Sequence, residues 1–296
     1  MKPSLFCGSG CAIVTPMLPD GSIHLEALGK LIDYQLDNET DAIIVCGTTG
    51  EAATLSDKEQ QQLIEYTVKK VSHRVPVIAG AGSNNTAHAV ELCKSARDCG
   101  ADGLLCVTPY YNKTSQKGLV KHFEALADST DLPLILYNVP SRTGCNLTTE
   151  TCKILSNHPN ICGVKEASGN LSQIAEISRL CGEDFAVYSG NDDQILPILS
   201  LGGKGVISVL ANVLPKETHD ICALYHSGKT DESRRLQLKL LPLIHSLFSD
   251  VNPIPVKEAL NLMGFSCGAC RLPLWHLDEG KRTALTNELK AFGLLS

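Results

Sequence analysis

Short apolar runs alternate with helical patterns along most of the chain. We predict eight strands, at residues 11–15, 42–46, 75–79, 103–107, 132–137, 161–165, 185–189 and 206–210. Most of these runs are apolar almost throughout, which is typical of strands that helices cover on both faces. Between them the period is helical: Ala89, Leu92, Cys93 and Ala96 recur at three- and four-residue spacing, and Gly100 follows as a C-terminal stop.

Eight strand–helix units of roughly 30 residues each predict an α/β fold, the (β/α)8 TIM barrel. The barrel is expected to close near residue 230, and about three further helices follow it. We therefore predict a catalytic barrel at residues 1–230 and a C-terminal helical bundle at residues 231–296. A doubly wound sheet is the weaker alternative, because no complete glycine-rich dinucleotide motif follows the first strand.

The composition is that of an ordinary globular protein, with 43% hydrophobic and 20% charged residues in a chain of 296. The net charge of −6 and the lack of any Lys/Arg cluster longer than a pair argue against nucleic acid as a partner. Residues 1–7 carry no apolar segment long enough for a signal peptide, and the sequence contains no membrane span. We therefore expect a cytoplasmic protein without a membrane partner.

Thirteen cysteines are scattered over the predicted strands and helices. Their odd number does not indicate a disulfide framework, so we expect small buried hydrophobic residues in a reducing compartment. Cys267 and Cys270 form one C-x-x-C pair, and no second pair follows at the spacing of a zinc ribbon. The nine histidines lie away from the predicted strand ends, which argues against a metal-dependent reaction.

Lys165 ends a predicted buried strand and is the first candidate for chemistry. In TIM barrels the active site lies at the C-terminal ends of the strands. Burial there disfavours the charged ammonium form, and a neutral amine can attack a carbonyl to form a Schiff base. The alternative is a structural lysine paired with a carboxylate such as Glu166, and the position alone supports both about equally.

Other predicted strand ends place polar groups at the same C-terminal end of the barrel, which we call the barrel mouth. Residues 47–51 read Gly-Thr-Thr-Gly-Glu and are expected to lead straight into a helix, whose N–H groups and two threonine hydroxyls would bind a carboxylate. The simpler alternative is that one threonine only caps the helix. Tyr137 ends a neighbouring strand and could relay protons, or only pack in the core. Arg142 offers a bidentate group to an anionic substrate, or is merely solvated.

Three segments carry a resemblance to a known family. Residues 47–51, residues 137–144 (Tyr-Asn-Val-Pro-Ser-Arg-Thr-Gly) and residues 163–167 (Gly-Val-Lys-Glu-Ala) resemble the pyruvate-dependent class I aldolases of the N-acetylneuraminate lyase superfamily. Within that superfamily the sequence is most similar to the dihydrodipicolinate synthase family. The resemblance covers essentially the whole chain, including residues 109–113, 205–209 and 252–257.

The resemblance implies a Schiff-base condensation of pyruvate with L-aspartate 4-semialdehyde to 4-hydroxy-tetrahydrodipicolinate, the first committed step of lysine and diaminopimelate biosynthesis. Lys165 would form the imine with pyruvate, and Thr49 would hold the pyruvate carboxylate. Arg142 would bind the carboxylate of the aldehyde substrate. Gly190 and Ile207 would line the site.

Proton transfer is implied to involve Thr48, Tyr137 and Tyr111, with Tyr111 reaching in from a neighbouring subunit. Members of the family are typically homotetramers built from two tight dimers. No metal and no organic cofactor is implied, because the lysine itself serves as the electron sink.

Two other functions stay open. One is a different pyruvate-dependent class I aldolase, namely a 2-keto-3-deoxy sugar acid aldolase or N-acetylneuraminate lyase. Arg142 speaks against the sialic acid lyases, whose matching segment lacks the arginine and whose aldehyde partner is neutral. The other is a barrel without chemistry that binds carboxylates, against which the presence of Lys165, Tyr137 and Thr48 argues.

A second group of residues concerns regulation by lysine. In the family members that lysine inhibits, it binds at a dimer interface, and the matching positions here are Asn84, Tyr110, His88, Asp57 and Gln60. Asn84 and Tyr110 match the inhibited pattern, whereas His88 replaces a glutamate and Asp57 and Gln60 replace two histidines. The lysine ammonium group thus loses a carboxylate partner at His88, for which Asp57 could partly compensate. We expect weak or absent inhibition.

Overall fold

The computed structural model describes residues 4–295, in which eight parallel strands form a closed barrel. Each strand pairs with the next in the chain, and β8 closes the ring by pairing with β1. The strands are β1 (Gly8–Ala12), β2 (Ala42–Val45), β3 (Val77–Gly80), β4 (Gly103–Val107), β5 (Leu134–Asn138), β6 (Ile161–Glu166), β7 (Ala186–Ser189) and β8 (Gly205–Ser208). The predicted TIM barrel is confirmed.

Helices follow the strands and cover the outside of the barrel. They are α1 (Leu25–Asp37), α2 (Asp57–Val71), α3 (Thr86–Asp98), α4 (Gln116–Asp128), α5 (Pro140–Thr143), α6 (Thr149–Ser156), α7 (Leu171–Cys181), α8 (Ile195–Ser200), α9 (Pro215–His226), α10 (Thr230–Leu247), α11 (Ile254–Leu262) and α12 (Glu279–Ala291). Short 3-10 helices lie at Ala52–Thr54, Asp192–Gln194 and Leu210–Asn212. The last three α-helices form the expected C-terminal helical region.

The division between residues 230 and 231 into two domains stays a prediction. The predicted first domain begins at residue 1 and the second ends at residue 296, and both positions lie outside the described residues, as do residues 2 and 3 of the N-terminal stretch considered for a signal peptide. Within residues 4–295 no helix combines the length and the apolar character needed to cross a membrane.

The first strand begins three residues earlier than predicted, at Gly8 instead of residue 11. Gly8, Ser9 and Gly10 carry no apolar side chain, so they give no strand signal in the sequence. The barrel needs the small residue nonetheless, because a Cβ atom at Gly10 would lie 2.6 Å from Cδ1 of Ile44. The other seven strands agree with the prediction to within two residues at either end.

Two apolar layers form the core, as expected for a barrel covered by helices. One lies between strands and helices, and the other fills the barrel itself. Phe6 precedes β1, and its ring stacks on that of Tyr188 in β7 with the centroids 4.4 Å apart. The Tyr188 hydroxyl donates a hydrogen bond to the Phe6 carbonyl at 2.8 Å. This aromatic pair belongs to the layer that fills the barrel, in which Tyr188 is the register partner of Lys165.

All thirteen cysteines lie among the described residues and none forms a disulfide; ten of them are buried. Their burial agrees with the expectation that they act as small hydrophobic residues. Cys93 of α3 and Cys106 of β4 approach most closely, with their sulfur atoms 3.9 Å apart. Burial raises the pKa of Cys46, which lies directly before the turn at residues 47–51. A neutral thiol at that position acts as a packing group.

Candidate active site

Lys165 lies at the C-terminal end of β6 and is 6% exposed. Tyr137 of β5 is its register partner, and the Lys165 Nζ atom lies 4.4 Å from the centre of the Tyr137 ring. Among the described residues, no carboxylate oxygen lies within ion-pair distance of this Nζ. The barrel therefore holds a nearly buried amine against an aromatic face without a neutralising partner.

Glu166 does not pair with Lys165, so the structural alternative for this lysine is wrong. Successive residues of a strand point to opposite faces, and the Glu166 carboxylate accordingly leaves the barrel interior. It accepts hydrogen bonds from Asn138 Nδ2 at 3.0 and 3.2 Å, from the Ser168 N–H at 2.8 Å and from Gln173 Nε2 at 3.2 Å. These donors satisfy the carboxylate and leave the amine free to react.

The turn at residues 47–51 follows β2 and leads into a helix, but not directly into α2. The short 3-10 helix at Ala52–Thr54 intervenes, and α2 begins only after Ser56. Ser56 and Glu59 form a reciprocal capping box, which is the local signal that fixes this start. The threonines therefore precede a short 3-10 helix and not the N-terminus of α2, and neither threonine caps α2.

The threonine turn is nevertheless held firmly at the barrel mouth. Thr49 is 3% exposed, and its Oγ1 atom accepts a hydrogen bond of 3.1 Å from Asn252 Nδ2. Thr15 Oγ1 donates to the Gly50 carbonyl at 2.7 Å, which ties the turn to the end of the first strand. Thr48 is half-buried beside it. Side-chain and backbone contacts thus replace the helix terminus in positioning the two hydroxyls.

Arg142 lies in the short helix α5 that follows β5. Its guanidinium is exposed, and Nη2 donates a hydrogen bond of 3.3 Å to the Asn252 carbonyl. Gly190 donates its N–H to the Glu166 carbonyl at 2.8 Å, and a Cβ atom there would lie 2.6 Å from Cβ of Ala167. Ile207 is fully buried inside the barrel. An exposed guanidinium thus accompanies the buried side chain of Ile207 and the backbone of Gly190 in the set of predicted site residues.

Residues 5–292 match the sequence model of the Dihydrodipicolinate synthetase family. The chain belongs to this family. It is 56% identical over 291 residues to 4-hydroxy-tetrahydrodipicolinate synthase of Caldicellulosiruptor bescii, with 98% of each chain covered.

Solved structures of family members have the same fold. The dihydrodipicolinate synthase from Thermotoga maritima is 46% identical with a TM-score of 0.97, covering 99% of this chain and 100% of that one. The enzyme from Cyanidioschyzon merolae, solved with lysine bound, is 42% identical with a TM-score of 0.96 and the same coverage. The structural similarity to these family members therefore covers the whole barrel and the C-terminal helices.

Glu51 ends the threonine turn and forms a buried ion pair that the sequence analysis did not find. Lys257 of α11 donates to Glu51 Oε1 at 2.8 Å, and both side chains are at most 2% exposed. Lys257 also donates to the Ala269 carbonyl at 2.9 Å, and the Arg271 N–H donates to Glu51 Oε2 at 2.8 Å. The available signal was the position of Lys257 directly after the apolar run at residues 254–256.

Asp192 is a second buried carboxylate near the site, and no role was assigned to it from sequence. It accepts hydrogen bonds from Ser208 Oγ at 2.5 Å and from the N–H groups of Val209 at 3.1 Å and Leu210 at 2.9 Å. Burial raises the pKa of Asp192, and these bonds together with the nearby Lys165 charge oppose that rise. Asp192 therefore fixes the backbone that follows β8.

Tyr111 is the one predicted catalytic residue that its own chain does not bring to the site. Its side chain is 91% exposed, and its φ of 68° lies in the left-handed region that favours glycine. Asn112 follows and ties the loop down, donating from Nδ2 to the Asn84 carbonyl at 2.9 Å. The loop thus presents the Tyr111 ring to solvent.

The residues of the predicted lysine cleft lie around the same loop. Asn84 Nδ2 donates to the Tyr110 carbonyl at 3.2 Å. His88 Nε2 lies 2.9 Å from Asp57 Oδ1, so the two replacements contact each other. Gln60 turns away, with Nε2 donating to the Ala52 carbonyl at 3.3 Å.

The described residues contain no group of three or more His, Cys, Asp or Glu side chains arranged to hold a metal ion. The polar groups at the barrel mouth are instead an amine, hydroxyls and a guanidinium. Such a set binds carboxylates and reacts with carbonyl carbons.

Proposed function

We propose that this protein condenses pyruvate with L-aspartate 4-semialdehyde to 4-hydroxy-tetrahydrodipicolinate, through a Schiff base on Lys165. It is then a lyase that catalyses the first committed step of lysine and diaminopimelate biosynthesis. The observation that carries the proposal is the nearly buried, carboxylate-free Lys165 amine at the mouth of a barrel that belongs to this family. No metal or organic cofactor takes part, because the protonated imine withdraws the electrons itself.

The first half of the reaction uses pyruvate. The Lys165 amine attacks the ketone carbon, water leaves, and a protonated imine results. Thr49 binds the pyruvate carboxylate and so orients the ketone toward the amine. Loss of a methyl proton then gives an enamine, with Tyr137, Thr48 and Tyr111 relaying the protons.

The second half uses the aldehyde. Arg142 binds the carboxylate of aspartate semialdehyde at the entrance, and the enamine carbon attacks the aldehyde carbon. The amino group of the same substrate then closes the ring onto the imine carbon, which breaks the bond to Lys165 and frees the amine. Gly190 and Ile207 shape the chamber in which the new bond forms.

Reductive trapping tests the Schiff base. Wild-type protein treated with pyruvate and borohydride is expected to gain the mass of a reduced pyruvyl group, and Lys165→Ala is expected to gain none. The exposed Lys153 of α6 provides the control, since Lys153→Ala should be trapped like the wild type. Failure of the wild type to trap pyruvate would overturn the proposal and favour a carboxylate-binding barrel without chemistry.

The second substrate is tested by pyruvate-dependent consumption of aspartate semialdehyde, coupled to the reductase that uses the product. Arg142→Ala is expected to raise KM for the aldehyde about 100-fold, because a charge-assisted bidentate contact is lost. Pyruvate trapping on Lys165 should be unchanged in this variant. Trapping without any turnover of aspartate semialdehyde, combined with cleavage of 2-keto-3-deoxy sugar acids, would assign the protein to the alternative aldolases.

The proposal also covers the oligomeric state of the protein and its compartment in the cell. We propose a homotetramer of two tight dimers in the cytoplasm, with a catalytic barrel at residues 1–230, a C-terminal bundle at residues 231–296, and neither nucleic acid nor membrane as a partner. The exposed Tyr111 ring supports the dimer, since the phenol needs a second chain to reach an active site. Sedimentation at assay concentration measures the assembly.

We also propose that lysine inhibits this protein weakly or not at all. A relative solved with lysine bound shows that the family contains a lysine-binding member. Here His88 contacts Asp57, so the Asp57 carboxylate is already engaged by a neighbouring side chain. Half-maximal inhibition by sub-millimolar lysine would contradict the proposal, and His88→Glu is expected to strengthen inhibition by supplying a free carboxylate.

A further inference from the structure

Asn252 contacts both residues that the proposed function assigns to substrate carboxylates. Its side-chain Nδ2 donates to Thr49 Oγ1 at 3.1 Å, and its backbone carbonyl accepts from Arg142 Nη2 at 3.3 Å. Asn252 lies before α11, about 200 positions from Thr49 in the chain. One residue of the C-terminal region therefore links the pyruvate side of the mouth to the aldehyde side.

The direction of the first hydrogen bond decides what Thr49 can do. A hydroxyl has one proton to donate and two lone pairs to accept with. Because the Asn252 amide can only donate through Nδ2, the Thr49 oxygen must accept in this contact. The Thr49 proton is then free to point at a negatively charged oxygen, which is the contact that a pyruvate carboxylate needs.

The burial of Asn252 indicates that its side-chain amide is present in order to donate this hydrogen bond. The residue is 7% exposed, and among residues 4–295 its buried Oδ1 atom has no hydrogen-bond partner. Burying an unsatisfied acceptor costs free energy, which an apolar side chain of similar size would avoid. An amide at this position therefore needs a reason other than packing, and the Thr49 contact provides one.

We propose that Asn252 is a positioning residue for pyruvate, because it orients the Thr49 hydroxyl as a donor toward the pyruvate carboxylate. Its carbonyl places Arg142 from the same point, so the two carboxylate sites are set relative to each other by one residue. This inference rests on the proposed function. The two contacts use different parts of Asn252, and substitution of its side chain affects the first while sparing the second.

Asn252→Ala removes the donor and retains the carbonyl. KM for pyruvate is expected to rise about tenfold, as for a lost hydrogen bond to a charged group. KM for aspartate semialdehyde should stay within about twofold, because Arg142 keeps its backbone partner. Asn261→Ala is the matched control: Asn261 makes two hydrogen bonds to Gly268 in the same region, at 2.9 and 3.0 Å, and lies outside the site.

Asn252→Asp separates orientation from packing. Aspartate has nearly the shape of asparagine. A purely structural role of Asn252 therefore predicts a smaller rise of KM for pyruvate in Asn252→Asp than in Asn252→Ala. A carboxylate only accepts, however, and it would draw the Thr49 proton toward itself. The proposal therefore predicts a larger rise of KM for pyruvate in Asn252→Asp than in Asn252→Ala. The reverse order would overturn it.

A double-mutant cycle tests whether Asn252 acts through Thr49 even if a single variant loses stability. In a Thr49→Val background, which has no hydroxyl to orient, Asn252→Ala should change KM for pyruvate by less than about twofold. An undiminished tenfold effect would show that Asn252 does not act through Thr49. Borohydride trapping of pyruvate by the wild type is measured in parallel: if it fails, the proposed function is wrong, whereas intact trapping with additive effects contradicts only the inference.

Discussion

Two lysines lie in buried positions of this protein, and their surroundings assign them opposite tasks. Lys257 meets the Glu51 carboxylate at 2.8 Å and so forms a buried structural ion pair. Lys165 meets the face of Tyr137 instead, and its sequence neighbour Glu166 is occupied by three other residues. A lysine that the fold buries without a partner is one whose amine is available to substrate.

His122 gives a pH dependence that can be tested. It is 4% exposed in α4, and burial lowers its pKa from 6.5 to about 4. The folded protein therefore keeps this histidine neutral while the unfolded chain takes up a proton below pH 6.5. Its contribution to stability is complete above that pH and is lost as the pH falls toward 4.

Between pH 7 and pH 5 we expect this single group to lower the free energy of unfolding by about 1 to 2 kcal/mol. The measurement compares urea unfolding at the two pH values for the wild type and for His122→Gln, which cannot titrate. The difference between the two pH effects isolates His122 from all other groups. Equal pH effects in both proteins would contradict the assignment.

At the scale of elements, the C-terminal region stabilises the turn that carries the threonines. Glu51 adopts a φ of 56°, and its carboxylate is bound by Lys257 of α11 and by the Arg271 N–H. The Arg271 side chain continues outward to Glu59 in α2, where it lowers the pKa of that carboxyl to about 2. The turn is thus fixed from one side by charges of the C-terminal region.

Removing one partner of this buried pair is expected to be costly. Lys257→Met should lower the free energy of unfolding by about 3 to 5 kcal/mol, because it leaves the Glu51 charge buried and uncompensated. Adding Glu51→Gln should recover most of that loss. Chemical denaturation measures both, with Arg234→Met as a control, since Arg234 and Asp231 form an ion pair that is 59% and 74% exposed.

If the free energy of unfolding of Lys257→Met lay within about 1 kcal/mol of the wild-type value, the Lys257–Glu51 pair would contribute no more to stability than a surface ion pair does. Strict additivity of the Lys257 and Glu51 substitutions would lead to the same conclusion. Loss of stability together with recovery in the double variant is the combination that supports the buried pair.

The comparison of sequence and structure explains which of these features were predictable. Strands such as β4 were recognised because apolar runs covered on both faces are a local pattern. The helix directly after the threonine turn is only a short 3-10 helix, and α2 begins later, at the capping box of Ser56 and Glu59. Lys165 and Lys257 each follow an apolar run and precede a glutamate, and only the long-range contact with Glu51 separates them.

Asn252 illustrates a different limit of the sequence. Its segment, residues 252–257, contributed to the family resemblance, but no local pattern connects an asparagine there with Thr49. Their hydrogen bond exists because the C-terminal region returns to the barrel mouth. Roles that depend on such a return need the three-dimensional fold.

At the scale of the whole molecule, a single chain leaves its proposed active site without the Tyr111 phenol. The ring is 91% exposed on a loop tied to Asn84. If each chain supplies Tyr111 to its neighbour, the two sites of a dimer are completed reciprocally, as expected for a twofold interface.

Subunit complementation measures this exchange. Lys165→Ala and Tyr111→Phe proteins are each expected to be nearly inactive. After unfolding and refolding as an equal mixture, activity should return to roughly a quarter of the wild-type value, since half of the random pairs are mixed and each has one complete site. Each protein refolded alone is the control. No recovery in a mixture shown to contain mixed dimers would place Tyr111 in its own chain's site.

The stacked rings of Phe6 and Tyr188 have a consequence for the order of events. Tyr188 is the register partner of Lys165, and its buried ring, stacked on Phe6, fills barrel space beside the reacting amine. We therefore expect substrates to reach Lys165 from the polar mouth that carries Arg142. When molecules enter and leave a site from one side, the molecule that binds deepest must enter first and leave last. Pyruvate, which reacts at the greater depth, has to arrive before the aldehyde, and the condensed product has to leave before another pyruvate can descend.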